Sequence, residues 1–556
     1  MKESLKNIVR DSVEDLFFSN KDDFPILDIE ISIPKKREFG DYSSNIAMVL
    51  TKVLKKKPRD IAEHISDKLS TSHPVLFKKI EIAGPGFLNF FIDEISLMSE
   101  LEEIEKQGDC FGQTDLGQGQ KVIVEFVSAN PTGYLHLGHA RNAVVGDGVS
   151  NILKACGYDV TTEFYINDTG RQIEMLGVSV YRKYQQIFGA DIEIPEDGYK
   201  GSYIADIANE INNQIGDELI KNETEQESLD FCKNYAKDRL LVDIKDDLSK
   251  AGIYFDKWFS EKEGLHGKKE KNRIDPIKKR LEKNNALEKK DNALWFKATE
   301  FGDTQDWVLI KSDGTPTYLI ADIAYHNEKI ERGFDKLINI WGADHHSHIG
   351  RLKSAIKALG YDQSILQVLL IQFVRLVSNG KEVSMSKRSG EYVTMREVLE
   401  DVGSDVLRFF MLMRSSDSHL DFDLELAKKQ SSENPVYYVQ YAHARINSIF
   451  EKAGQANIKE SNEYLGLLDK AEEIEIAKTL LNFPEVIKDS ANTLTPHKIT
   501  FYLQELASQF HVYYNKYKII GDDDKTSSMR LYLIKCVKTV IHNGLKILGV
   551  SAPERM

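Results

Sequence analysis

Two imidazoles three residues apart, His136 and His139, bracket Gly138 just after a turn-forming run, Asn130-Pro131-Thr132-Gly133. The apolar stretch Val122 to Val127 ahead of the turn reads as a strand. Ala143, Val144, Ile152 and Leu153 follow at helical spacing and stop at Gly157. The pair is therefore expected in the first turn of a helix at the end of a strand. Unpaired backbone N–H groups and the positive end of the helix dipole favour phosphate there. Gly138, with no Cβ, is expected to let a nucleotide approach the backbone. From 14 His and 35 Gly, chance predicts H-x-G-H only about 0.02 times, so the spacing carries weight.

A second stretch belongs with the first. Gly380 to Gly390 holds three cations (Lys381, Lys387, Arg388) and three hydroxyls (Ser384, Ser386, Ser389) between glycines. That composition suits a mobile lid over polyphosphate. Alone, the first stretch reads as a helix start with surface histidines and the second as a solvated basic turn. Together they read as two halves of one ATP-handling site.

The pair resembles the signature of class I aminoacyl-tRNA synthetases. Glu125 to Gly133, Tyr165-Ile166-Asn167-Asp168, Trp341-Gly342-Ala343-Asp344-His345-His346 and the final Ala552-Pro553-Glu554-Arg555-Met556 are similar to the bacterial arginyl-tRNA synthetase family, over nearly the whole chain. The resemblance implies ATP-dependent ligation of L-arginine to its tRNA through an arginyl-adenylate, with ATP and Mg²⁺ as cofactors. It makes His136, His139 and Lys387 catalytic, and puts Gly138, Gly342, Asp344, Met385 and Ser386 on ATP. Glu125, Tyr318 and Asp322 would hold the guanidinium; Asn130, His136 and His346 would hold the α-amino and carboxylate end. One departure stands out: Ser384 occupies the position where the fuller second motif begins with lysine, which leaves less charge on the lid.

Glu125 interrupts an apolar strand, and an acid there needs a cationic partner. Tyr318 and Asp322 are four apart, on one face if their segment is helical. A guanidinium is planar, always charged and carries five donors, so its pocket should offer carboxylates.

Length and pattern set the frame. At 556 residues the chain exceeds one core. Residues 1–110 read as an N-terminal α+β domain, for which the resemblance implies contact with tRNA. Gly108 to Gln120 reads as a linker. From Lys121 strands and helices alternate, so 111–433 is expected to be a Rossmann-like parallel-sheet α/β catalytic domain with a charged, mostly helical insertion near 190–290. Residues 434–556 read as an all-α bundle, the anticodon-binding domain by resemblance, with Tyr437, Tyr441, Tyr513 and Tyr514 as its RNA-contacting residues. Aromatics at helical spacing such as Tyr437 and Tyr441 more often belong to a core. Tyr513 to Lys518 alone interleaves aromatic and basic residues as base stacking requires.

A net charge of −14 demands that any RNA contact be a local basic surface. No apolar run is long enough to span a membrane, no N-terminal signal segment is read, and four scattered cysteines form neither a disulfide framework nor a zinc motif. A cytoplasmic monomer that acts on tRNA and arginine is expected. Two rival enzymes and one binding protein compete with this reading. Asp344, His345, His346 and His348 would suit a metal-dependent hydrolase, although no metal site is expected. H-x-G-H also fits a small-molecule nucleotidyltransferase, which would need neither insertion nor helical tail. A synthetase relative without chemistry would bind RNA alone.

Overall fold

The central strand β1 (Lys121–Glu125) buries Val122, Ile123 and Val124 completely. Alternate residues serve opposite faces. Val122 and Val124 join the core under α1 (Leu137–Ala155), whereas Ile123 joins a second core. β2 (Asp159–Ile166) follows α1, and β3 (Lys257–Ser260) comes after a long helical excursion. The helix α2 (Tyr318–Glu331), β4 (Lys336–Gly342), α3 (His348–Ala358) and β5 (Leu366–Ile371) complete the unit. Leu319, Ile320, Ile323 and Ala324 of α2 pack on the Ile123 face. All neighbours are parallel, in the order β5-β4-β1-β2-β3. Strand order reverses between β1 and β4, and the crevice beyond their carboxyl ends is where open α/β sheets bind ligands.

This computed structural model describes residues 1–18, 29–34, 36–266, 272–378, 380–382 and 393–556.

Three sequence expectations need correction. β1 stops at Glu125 and does not run to Val127, because Val127 and Ser128 take positive φ values of 64° and 41°. The stretch near 190–290 is not wholly an insertion, since Lys257–Ser260 pairs with β2 as an edge strand of the main sheet. Four residues bearing a lysine and a serine are too short and polar to show a strand period. Gly108 to Gln120 is tied down: the N–H groups of Thr114, Gly117 and Gly119 bond the carbonyls of Ala155, Cys156 and Gly157 at the end of α1, satisfying acceptors a helix end leaves open.

Ahead of the sheet, helix Lys2–Phe17 and helices Ile46–Leu54 and Pro58–Ser72 accompany a four-stranded sheet that includes the expected hairpin, Phe77–Ala83 with Phe87–Ile92. After it come helices Pro435–Gln455, Ala471–Leu481, Phe483–Thr493, His497–Lys516 and Asp524–Ile547, with no strand among residues 435–556.

Candidate functional site

His136 is the N-cap of α1. Its Nδ1 accepts the N–H of Gly138 at 3.0 Å and of His139 at 3.4 Å, while Nδ1 of His139 accepts the N–H of His136 at 3.3 Å. Each imidazole thus uses Nδ1 as an acceptor, which puts its proton on Nε2. The rings stack with centroids 3.7 Å apart. Two Nε2–H donors from one helix start suit a polyanion. Gly138 also leaves room for the cap itself: a Cβ there would lie 2.9 Å from Cε1 of His136.

The turn between β1 and α1 is strained. Ser128 N–H closes onto the Phe126 carbonyl at 2.9 Å around Val127, a β-branched residue at positive φ. Asn142 of α1 holds it: its Oδ1 accepts Val127 N–H at 2.7 Å and its Nδ2 donates to the Ile340 carbonyl of β4 at 2.9 Å. One side chain fixes the strand end, the helix and the neighbouring strand together.

Glu125 finds its cation inside the chain. Lys329 of α2, fully buried, donates to its Oε2 at 2.5 Å, and Ser128 Oγ donates to its Oε1 at 3.0 Å. The cationic partner that an acid on this strand needs is therefore Lys329. Nothing in the sequence signals the pairing, because the two residues are 204 apart.

Asp322 has no such partner among the hydrogen bonds of the described residues. It is half-buried on α2, and its carboxyl is pushed up to about 7 by burial and by the charges of Glu125 and Glu261, against the pull of Arg351 and Lys329. Glu261, 4% exposed, follows β3; its Oε1 accepts from Thr169 Oγ1 at 2.8 Å and faces His266 Nε2 at 3.2 Å. Asn167, with its amide turned, donates to Glu261 Oε2 at 3.1 Å. Asp168 accepts from Ser260 Oγ and Lys262 N–H at 2.7 and 2.9 Å, fixing the segment that carries Glu261. Burial and the charges of Glu261, Asp322 and Glu125 raise the Tyr165 phenol well above its usual range. Sequence reasoning missed Glu261. Its only signal was the helix-capping serine before it, on a strand not read as one.

Tyr318 opens α2 at 63% exposure, one turn from Asp322 as its spacing required, with its hydroxyl 3.6 Å from where a Cβ on Gly170 would sit. Asn130 Nδ2 donates to Gln172 Oε1 at 2.5 Å. Beyond β4, Asp344 and His346 are exposed, and a Cβ on Gly342 would collide with Asp344 Oδ1. His345 stacks edge-on to His348 at 5.3 Å. Among the described residues no three His, Cys, Asp or Glu are grouped to hold a metal ion.

Ser384, Met385, Ser386, Lys387 and Arg388 lie outside the described residues. Their flanks are informative. Strand Val374–Ser378 leads toward the motif, and Arg141 of α1 fixes its base by donating to the carbonyls of Gln372, Ser415 and Ser418 at 2.8–2.9 Å. Past the motif, Thr394 forms a β-bridge with His136, and Met395 N–H bonds the Leu135 carbonyl at 2.7 Å. The chain thus returns from the second motif directly onto the first.

On the helical bundle, Tyr437 and Tyr441 are half-buried and stacked with centroids 6.2 Å apart. The Arg445 guanidinium lies between Tyr441 and Tyr514, 4.7 and 4.6 Å from their rings. Tyr513 is a correction: it is fully buried, its hydroxyl donating to Glu473 Oε1 at 2.8 Å, so it cannot stack on a base without leaving the core.

Three family models cover the chain: "Arginyl tRNA synthetase N terminal domain" matches residues 3–92, "tRNA synthetases class I (R), catalytic domain" residues 100–447, and "DALR anticodon binding domain" residues 439–556. The arginine–tRNA ligase of Syntrophotalea carbinolica is 45% identical over 100% of both chains. That of Geobacillus kaustophilus is 46% identical over 100% of this chain and 99% of its own. The Thermus thermophilus arginyl-tRNA synthetase structure superposes with a TM-score of 0.74 at 22% identity over 100% of both chains, a likeness of fold.

Proposed function

The chain belongs to the arginyl-tRNA synthetase family, and from that premise we propose how its own residues ligate arginine to tRNA. The protein is an arginine–tRNA ligase: it uses ATP to form arginyl-adenylate, transfers the arginyl group to its tRNA, and releases pyrophosphate and AMP. The first step is in-line attack by the arginine carboxylate on the α-phosphate, so it requires positioning and charge stabilisation, not a protein nucleophile.

In our reading, His136 and His139 present their Nε2–H donors to the phosphates, with Lys387 contributing a further cation. Gly138, Met385 and Ser386 contact the nucleotide, and Gly342 and Asp344 meet its ribose. The guanidinium enters between Asp322 and Glu261, with Tyr318 and the Glu125–Lys329 pair beside it. Asn130, His136 and His346 take the α-amino and carboxylate end. The acidic cluster carries this reading, because a carboxyl pushed up to about 7 by burial and by other acids is one that a bound cation would ionise. Mg²⁺ would come with the polyphosphate, whose charge it neutralises.

Residues 1–110, 111–433 and 434–556 would act as tRNA-contacting, catalytic and anticodon-binding domains, with Tyr437, Tyr441 and Tyr514 toward the RNA. No helix among the described residues is long and apolar enough to cross a membrane; we propose a cytoplasmic monomer. ATP–pyrophosphate exchange with purified protein, run with each amino acid and with or without tRNA, tests the pocket. Asp322→Ala should raise the arginine KM roughly 10- to 150-fold, the scale of one charged hydrogen bond. An unchanged KM would remove Asp322 from the pocket.

A further inference from the structure

A hydrogen-bonded chain runs through the interior beneath the acidic cluster, and its direction is set throughout. The Asp322 carbonyl bonds Nδ1 of His326 at 2.8 Å. Asn339 of β4 donates from Nδ2 to Nε2 of His326 at 2.8 Å, and accepts at Oδ1 from the Lys329 ammonium at 3.2 Å. Lys329 donates to Glu125, which accepts from Ser128, whose Oγ in turn accepts Tyr165 N–H at 3.1 Å. Asn339 pairs in register with Glu125 across the sheet. His326, Lys329 and Asn339 are at most 2% exposed. Burial, then the charge of Lys329, keeps His326 far below its usual range, hence neutral, as its Nδ1–H donor and Nε2 acceptor roles require.

We propose that Lys329 is a positioning residue of the arginine pocket: its buried ammonium neutralises Glu125 and locks α2, which carries Asp322, against the end of β1. The proposal rests on the pocket reading above. Stability alone does not account for the pair, since apolar residues of similar volume usually replace a buried ion pair at little cost. What an apolar pair cannot do is set charge. Asp322 faces Glu125 from β1, Glu261 beyond β3, Tyr165 from β2, Arg351 from α3, and Lys329 and neutral His326 on its own helix. With Lys329 in place, Glu125 presents a neutralised pair, and Asp322 and Glu261 are left as the carboxylates that meet one guanidinium. Without it, a second unpaired acid would oppose the ionisation of Asp322.

Full-length Lys329→Met, Glu125→Gln and the double variant decide the matter in tRNA-dependent exchange, with arginine kcat/KM followed against pH. Lys329→Met should move the midpoint of the acid limb up by about one unit, lowering kcat/KM for arginine about fivefold at pH 7. Its ATP KM should stay within about twofold of the unmodified protein, since no uniform binding to the nucleotide is lost. The double variant, which removes both charges, should return the midpoint to within a few tenths of a unit of the unmodified value. A folded Lys329→Met protein with an unmoved midpoint, or a double variant displaced as far as the single, overturns the proposal. Should Lys329→Met show no cooperative melt, Glu125→Gln decides: the midpoint must fall, because a negative neighbour of Asp322 is gone, and an unmoved midpoint rejects the role. If the unmodified protein shows no arginine-dependent exchange, the pocket reading fails instead, before any variant is compared.

Discussion

If Asp322 binds arginine as proposed, it does so at the expense of folding. Burial and the neighbouring acids push its carboxyl up to about 7 in the folded chain against 3.8 as its ordinary value. Between those two values the native state keeps a proton that the unfolded chain releases. Stability therefore falls as pH rises across that window, and the loss is complete above the native value. Asp322→Asn removes the ionisation and should raise the melting temperature at pH 8 by about 2 °C or more, with little gain at pH 4. Equal shifts at both pH values in calorimetry would mean that Asp322 is not held uncharged by its neighbours. At this scale the sequence was legible where spacing is local. His136 with His139, and Tyr318 with Asp322, are close because they share a helix turn. Glu125 with Lys329, and Glu261 with Asp322, meet only through the topology of the sheet, and no local pattern records that.

At the level of elements, the start of α1 is decided by two competing uses of one position. Gly138 sits inside the helix at negative φ, where alanine would ordinarily be favoured by about 1 kcal/mol. Its added methyl would press against the His136 ring, only 2.9 Å away, and displace an acceptor that holds two backbone N–H groups. Loss of a cap costs about the same amount. Gly138→Ala should thus melt close to the unmodified protein, yet lose at least about tenfold in kcat because His136 no longer points at the phosphates. Unchanged kcat at unchanged stability would show that the ring orientation is irrelevant to the chemistry. Strand and helix identities here followed from period and turn residues. The end of β1 did not, because the apolar run continues through Val127 while Asn142, fifteen residues on, forces the backbone into positive φ.

Across the whole molecule, buried arginines join parts that composition alone keeps separate. Arg408, 1% exposed, donates to the Leu548 carbonyl at the end of the bundle and to the Ala251 carbonyl after helix Glu225–Lys250, and pairs with Asp147 of α1. A strongly acidic chain must also concentrate what positive charge it offers RNA. On the bundle, Arg445 held between Tyr441 and Tyr514 is the place we propose, whereas the neighbouring Tyr513 points into the core. The aromatic-basic run Tyr513 to Lys518 read as one RNA-facing strip, but a helix turns successive residues about 100° apart, so adjacent tyrosines face different surroundings. This predicts a split. Tyr514→Ala should raise the tRNA KM in aminoacylation by about 5- to 150-fold, the range for one lost base stack. Its arginine KM at saturating tRNA should not change. Tyr513→Phe, which deletes the bond to Glu473, should lower the melting temperature and leave the tRNA KM within about twofold, because a core hydroxyl contributes about 1 kcal/mol to folding and nothing to the RNA. Equal effects of the two substitutions on tRNA KM would mean that the RNA contact lies elsewhere on the bundle.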